Sequence, residues 1–499
     1  RGETAILVTS PNYEQTLQTE LRRNTRWGTL LTVVALATTF GAAMPVGYNI
    51  GVVNSPASYI RDWCNVTIIE RYGGHFTSAQ LEILWSVVVS LFLIGAAIGS
   101  LGGAWFADRF GRKGSFLISG ALFVVAAVLF QFCRDAKSIE MLLAGRFIVG
   151  LASGLTTTII PMYLTELAPL ALRGTLGVFC AMGVTGGVVV GQVFSLKNIF
   201  GTEELWQYAL SSYVFFVIVC YLPSFYYPES PKYLYIIRGN KEQARMELER
   251  LRGNNQAIVN VEIEEMETHL GTKEQSCTLW SVLRDPTLML PLVIVCAFQG
   301  GQQLSGINAV FYYSVSIFQS AGLSKTDAEW ANLGAGCVNL LTSLFGPLLM
   351  SKVDRRALML PSCAISAVFL LALTIVVHFI EYAHWLSIAC IVCVFAYIFF
   401  FQLGLGPIPY FIGSELFDVA PRPIAMSLGS LSSWACNFII GMTFPSLQNA
   451  WGAFVFLPFC ITCVLLFILT KLYLPETRGR DIAEISPLVS KGFKSTPLG

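Results

Sequence analysis

LEILWSVVVSLFLIGAAIGSLGGAWF, residues 81–106, holds one ionisable side chain, Glu82, near its start. A helix needs about 20 apolar residues to cross the hydrocarbon of a bilayer. Inside lipid the backbone must satisfy its own hydrogen bonds, so a run of this length predicts a spanning helix. Comparable runs lie near 27–50, 115–133, 141–164, 174–196 and 206–227. Six more follow near 288–312, 330–350, 358–380, 386–410, 424–446 and 452–474. The expected architecture is therefore an all-α membrane protein with twelve crossings.

Composition points the same way. Of 499 residues, 54% are hydrophobic and 13% charged, where a soluble domain carries about 25% charged residues. That is too little charge to cover the surfaces of several soluble domains. The net charge of +1 and the lack of any basic tract give no reason to expect a nucleic-acid partner. The polar segment before the first run is too long, and lacks the cleavage pattern, for a signal peptide.

Twelve crossings put both termini on one side. With the termini inside, 25 of the 32 Lys and Arg lie inside and six outside, with Arg146 within a helix. This is the positive-inside asymmetry. The loop from Gly51 to Gln80 is then extracellular, and its Asn65-Val-Thr67 is an N-glycosylation acceptor on the only face where that is possible. Cys64 and Cys133 would also lie outside, and pairing between them stays open. The Cys390/Cys393 and Cys460/Cys463 pairs have no second ligand pair nearby, so no metal site is expected.

The polar stretch from Pro228 to Pro286 carries two expected amphipathic helices, Ser230 to Arg252 and Val261 to Leu270. They read either as a solvated linker or as a latch across an inner gate. The flanking halves are related. Glu166 precedes Arg173 by the same spacing as Glu415 precedes Arg422, and Pro228-Glu229-Ser230 returns as Pro475-Glu476-Thr477. Arg109-Phe-Gly-Arg112-Lys113 after the second run is matched by Asp354-Arg355-Arg356 after the eighth. The organisation is thus a tail (1–26), a six-helix half (27–227), a helical linker (228–287), a second six-helix half (288–474) and a tail (475–499). Parallel halves of this kind build many secondary transporters, with the substrate between them.

No catalytic constellation is apparent. The four histidines have no partner spacing for a metal or a triad, and no phosphate loop is present, so no enzyme activity and no cofactor are expected. The seventh run instead carries Gln299, Gln302, Gln303 and Asn308. Amides at that depth are costly in lipid and make sense lining a wet cavity. They both donate and accept, as sugar hydroxyls do, although amides can also serve only to bond helices together. Glycine repeats such as Gly95/Gly99 and Gly150/Gly154 allow close helix approach. Gly404-Leu-Gly406-Pro407-Ile-Pro409 should break the tenth helix, either as a bend for gating or as a static kink. At the inner ends, Arg112, Glu166 and Arg173 are expected to pair in one half, and Arg356, Glu415 and Arg422 in the other. They would act as an inner gate or as anchors.

Gly47-Tyr-Asn49, Gly145-Arg146-Phe147, Pro161-Met-Tyr163, Pro228-Glu-Ser-Pro231, Gln302-Gln-Leu-Ser-Gly-Ile-Asn308 and Pro475-Glu-Thr-Arg-Gly479 stand in order along the chain. The set resembles the facilitative glucose transporter family, the sugar-porter branch of the major facilitator superfamily. The likeness runs from about Trp27 to Arg480. It implies the major facilitator fold and sugar hydroxyls bonded by Gln302, Gln303, Asn308 and Asn339, with Trp434 and Asn437 beside them. Gln402 and Tyr410 would also line the site, where glucose-type members have Glu and Trp. Ala181 stands where those members have a sugar-binding Gln. Pro45 and Val46 replace a Gln and a Phe. These departures bear on which hexose is carried. Ser351 and Asp354 replace a Glu and a Gly and bear on the inner pairing of the second half.

The resemblance implies passive hexose uniport, glucose foremost, across the plasma membrane, with a small-molecule sugar and lipid as the partners and no statement on oligomeric state. Two other readings share the sequence. A proton-coupled symporter needs an acid titrating within the membrane, and relatives of that kind carry one at the position of Asn49, facing the Arg equivalent to Arg146. A non-transporting sugar receptor would carry a long cytoplasmic extension, which the short tail after Arg480 is not.

Overall fold

The computed structural model describes residues 26–53, 56–270 and 277–498, together with isolated residues before them. The expected N-terminal tail lies almost wholly outside the described residues. Every regular element among them is helical. In chain order these are α1 (Thr29–Gly51), α2 (Ala57–Arg71), α3 (Ser78–Phe132), α4 (Ile139–Leu167), α5 (Leu170–Phe194) and α6 (Trp206–Tyr221). Three shorter helices follow, α7 (Lys241–Leu251), α8 (Gln256–Leu270) and α9 (Leu279–Arg284). Then come α10 (Met289–Phe311), α11 (Trp330–Lys352), α12 (Arg355–His378), α13 (Trp385–Leu416), α14 (Arg422–Tyr473) and α15 (Ile482–Val489).

Nine of these are long and apolar enough to cross a membrane. Two of the nine, α3 with 55 residues and α14 with 52, are about twice the crossing length and turn once each. Counting each as two passes, and the shorter apolar α6 as one, gives six passes before the linker and six after. The turn in α3 is made at Gly111, whose φ of 78° a side-chain-bearing residue rarely adopts. A Cβ there would also lie 2.3 Å from Glu229 Oε2. In α14 the turn falls at Gly452, with φ 60°.

Local chemistry explains where the helices start and stop. Thr77 and Gln80 form a reciprocal capping box at the start of α3. Ser138 accepts the Met141 N–H at the start of α4. α13 is interrupted between Leu403 and Ile408, where Gly404, Gly406 and Pro407 fall. The hydroxyl of Ser362 accepts the Leu405 N–H released there, at 2.9 Å. The glycines of α3 and α4 do bring backbones together: a Cβ on Gly154 would lie 2.0 Å from Ala96 O.

The linker differs from expectation. Ser230 to Arg252 is not one helix. A π-helical turn at Tyr233–Ile237 ends at Gly239 (φ 69°), and α7 restarts with Asn240 capping Gln243 N–H at 3.2 Å. α8 begins at Gln256, earlier than expected. Asn65 sits mid-way along α2, half-buried, with Thr67 buried. Cys64 and Cys133 are buried in one apolar cluster and are not bonded to each other.

Apolar packing gathers α10–α15 around one core and α1–α6 around two others. The C-terminal helix α15 joins the former through Ile485 and Val489. α14 runs along α3 and α4, so it is a main seam between the two groups.

Candidate functional site

At one end of the seam lie two fully buried carboxylates. Glu166, near the end of α4, receives Arg112 Nε at 3.0 Å and Arg112 Nη2 at 3.1 Å. It also receives Arg422 Nη1 at 3.0 Å and the Ser230 hydroxyl at 2.6 Å. Glu415, at the end of α13, receives Arg355 Nε at 3.1 Å and Arg173 Nη2 at 2.8 Å. Each carboxylate is thus held by one arginine from its own helical group and one from the other. Arg173 reaches further, donating to the carbonyls of Thr477 and Arg480 at 2.9 Å.

This corrects the expected pairing in two ways. Arg173 belongs to Glu415 and Arg422 to Glu166, so the duplicated Glu–Arg spacing sets up an exchange of partners between halves. The second correction concerns Arg356, which does not reach Glu415. Adjacent residues of a helix point about 100° apart, and Arg355 is the one facing inward. Arg356 binds the carbonyls of Leu474 at 2.6 Å and Lys471 at 3.1 Å. A signal for this was present: aligning Arg112-Lys113 with Arg355-Arg356 puts Arg355 opposite Arg112. The same alignment pairs the two Pro-Glu motifs, because Glu229 accepts the Arg112 N–H at 3.0 Å and Glu476 the Arg355 N–H at 3.1 Å. Both act as helix caps. Burial pushes the Glu229 carboxyl up to about 7, against the backbone N–H bonds and the Arg112 charge that draw it down.

Further along the seam lies a cavity of about 140 Å³. Gln302, Gln303, Asn308, Asn339, Gln402, Tyr410, Trp434 and Asn437 all line it. The eight positions read from the sequence therefore converge. The break at Gly306 (φ 88°) in α10 turns Asn308 back onto Gln303, whose Oε1 accepts from Asn308 Nδ2. Gln303 Nε2 donates to the Ser433 hydroxyl at 3.3 Å, and Gln302 Nε2 donates to Gly406 O, a carbonyl freed by the break in α13. Asn339 Oδ1 is buried and makes no hydrogen bond. The amides of Gln299, Gln402 and Asn437 form none among the described residues either. Such groups are costly to bury unless a ligand or water pairs them.

Sequence reasoning passed over Gln192, Asn332 and Ser433, which also line the cavity. Asn332 stands on the same face of α11 as Asn339, two turns earlier, a spacing that could have revealed it. It also passed over a hydroxyl chain beside the cavity. Ser430 lies 2.8 Å from both Ser100 and Thr157 hydroxyls, and Trp434 Nε1 donates to Thr157 Oγ1 at 3.1 Å. That chain crosses between the two helical groups.

Asn49 and Arg146 do meet, through the backbone. Arg146 Nη1 donates to Asn49 O at 3.0 Å and its Nε to Val88 O at 3.1 Å, while the guanidinium stacks over Phe92. Among the described residues no group of His, Cys, Asp and Glu is placed to hold a metal ion.

The chain matches the family model described as "Sugar (and other) transporter" over residues 34–489. It is 39% identical over 454 residues to the facilitated glucose transporter member 1 of Gallus gallus, covering 91% of this chain and 92% of the relative. Against member 3 of Ovis aries it is 38% identical over 457 residues, with 92% of each covered. Among solved structures, a proton:xylose symporter of the major facilitator superfamily, bound to 6-bromo-6-deoxy-D-glucose, superposes with a TM-score of 0.79. Its identity is 23%, and the match covers 92% of this chain and 99% of that one, a likeness of fold.

Proposed function

The chain belongs to the sugar (and other) transporter family, and from that premise we propose that it carries a hexose, glucose foremost, passively across the plasma membrane by alternating access. The two bodies that rock are residues 27–227 and 288–474, with both termini cytoplasmic and Asn65 glycosylated outside. It acts as a carrier and not as an enzyme.

The observation that carries this reading is the set of unengaged amides at Gln299, Asn339, Gln402 and Asn437, converging on a cavity between the two bodies. Amides offer donors and acceptors side by side, which is what a ring of hydroxyls requires. The Arg173–Glu415 and Arg422–Glu166 pairs each join one body to the other, so they close the cytoplasmic side in this state. Opening that side must exchange those pairs for water, and sugar binding shifts the balance between the two states.

Uniport is favoured over proton coupling by Asn49. Its side chain is a neutral amide that donates to Pro45 O at 2.8 Å, Arg146 arrives at its backbone carbonyl, and the sequence places no Asp or Glu in the middle of any span. The test of function is uptake of labelled glucose, fructose, galactose and 2-deoxyglucose in transporter-null cells. Saturable uptake of glucose, ahead of fructose and galactose, is expected. Uptake of none of the four, at normal surface expression, would overturn the assignment.

A further inference from the structure

The cavity has two chemically opposed walls. The amides described above occupy one side, on α10, α11, α13 and α14. The other side is hydrocarbon: Val46 and Ile50 from α1, with Ala181, Val184, Val188 and Val189 from α5. Their spacings follow single helical faces, so the wall is continuous. Polar groups do interrupt it, but with little to offer. The Thr185 hydroxyl donates to Ala181 O at 3.0 Å, so its hydrogen is engaged. Thr157 is held by Ser430 and Trp434. Gln192 lies in the last turn of α5, away from the centre of the wall.

A hexopyranose with hydroxyls all round its ring cannot suit both walls. Its hydroxyls facing α10 and α13 find amides. A hydroxyl pressed on the valine face gives up water and gains no partner, a loss of about tenfold in affinity. Hydrocarbon pockets discriminate against an added hydroxyl by up to about a hundredfold. We propose that the α1–α5 wall is an apolar subsite. The preferred ligands of this cavity are then hexoses with an apolar edge: deoxyhexoses, or hexoses O-methylated at the carbon that faces Ala181. Ala181 sets this preference, because it carries the shortest side chain on the α5 face that lines the cavity, and a longer polar side chain there would reach into it.

The inference rests on the reading of the chain as a hexose carrier. Its test is initial-rate uptake of glucose, 2-deoxy-, 3-deoxy- and 6-deoxyglucose and 3-O-methylglucose. These are compared in transporter-null cells expressing the parent chain or Ala181→Gln at matched surface levels. In the parent, at least one analogue should exceed glucose in transport efficiency by about tenfold. In Ala181→Gln that advantage should vanish and glucose should gain. Should Ala181→Gln not reach the surface, Ala181→Ser tests the same reversal at smaller amplitude, and the ranking in the parent stands by itself. Glucose moving at least as well as every analogue in the parent overturns the subsite while leaving the carrier reading intact. An analogue preference that survives both substitutions overturns the role of Ala181. A parent that moves none of these sugars overturns the carrier reading and this proposal with it.

Discussion

Gln303 sits at the point where α10 breaks, accepting from Asn308 and donating to Ser433. Gln303→Leu removes both bonds and leaves any sugar hydroxyl there unpaired. An unmet buried hydrogen bond costs about 1–3 kcal/mol, so uptake efficiency should fall about tenfold or more at normal surface expression. Unchanged transport would move the site elsewhere. Amides of this kind were legible in the sequence because each is an anomaly in an apolar span. The arginine facing Glu415 was not, because Arg355 and Arg356 are the same residue type side by side and only the helix phase separates them. Their substitution separates them in turn. Arg355→Ala leaves a buried carboxylate short of one partner, a loss of about 3–5 kcal/mol. Arg356→Ala removes a cap on carbonyls at the end of α14, which is worth about 1 kcal/mol. Thermal unfolding of the purified protein in detergent should show a much larger drop for Arg355→Ala; equal drops would contradict the assignment.

At the scale of elements, hydropathy made the spanning helices plain, and the proline–glycine cluster made the break in α13 plain. The interruption of the linker at Gly239 was harder, because a single glycine in an amphipathic stretch does not announce a positive φ. The exchange of partners between Arg173 and Arg422 was out of reach for a different reason. A repeat shows that two halves carry the same charges, but not how the halves face each other. The seam between α14 and the α3–α4 pair carries further cross-body contacts, with Ser430 bridging Ser100 and Thr157. Ser430→Ala removes that bridge, and a hydrogen bond between membrane helices is worth about 0.6 kcal/mol. Arg173→Ala removes a cross-body charge pair and two carbonyl contacts. Both should favour the cytoplasm-open state, Ser430→Ala about threefold and Arg173→Ala by more. Lys232 lines the vestibule beside these pairs. The readout is labelling of Lys232→Cys by an impermeant thiol reagent from the cytoplasmic side, corrected for the parent chain. No change in either double variant would make these contacts static packing instead of a gate.

For the whole molecule, the question is whether movement of the two bodies is linked to a proton. A coupled carrier binds and releases one proton in each cycle, so some group must change charge as the sugar enters. The groups at hand do not serve. Glu166 and Glu415 are each gripped by two arginines at one end of the seam, remote from the cavity along α4 and α13. Protonating either would break the closure instead of following the sugar. Arg146 donates to the carbonyls of Asn49 and Val88. The remaining polar groups of the cavity are amides and hydroxyls, which do not titrate in the physiological range. Without a titrating group the two states interconvert under the sugar gradient alone, and net flux must stop when the sugar concentrations on the two sides are equal. A non-metabolised hexose analogue, given with an imposed inward proton gradient, should therefore reach an inside-to-outside ratio of about one. Adding a protonophore should leave that ratio unchanged. Accumulation well above unity that collapses with the protonophore would mean that a proton site exists which neither the sequence nor the cavity reveals.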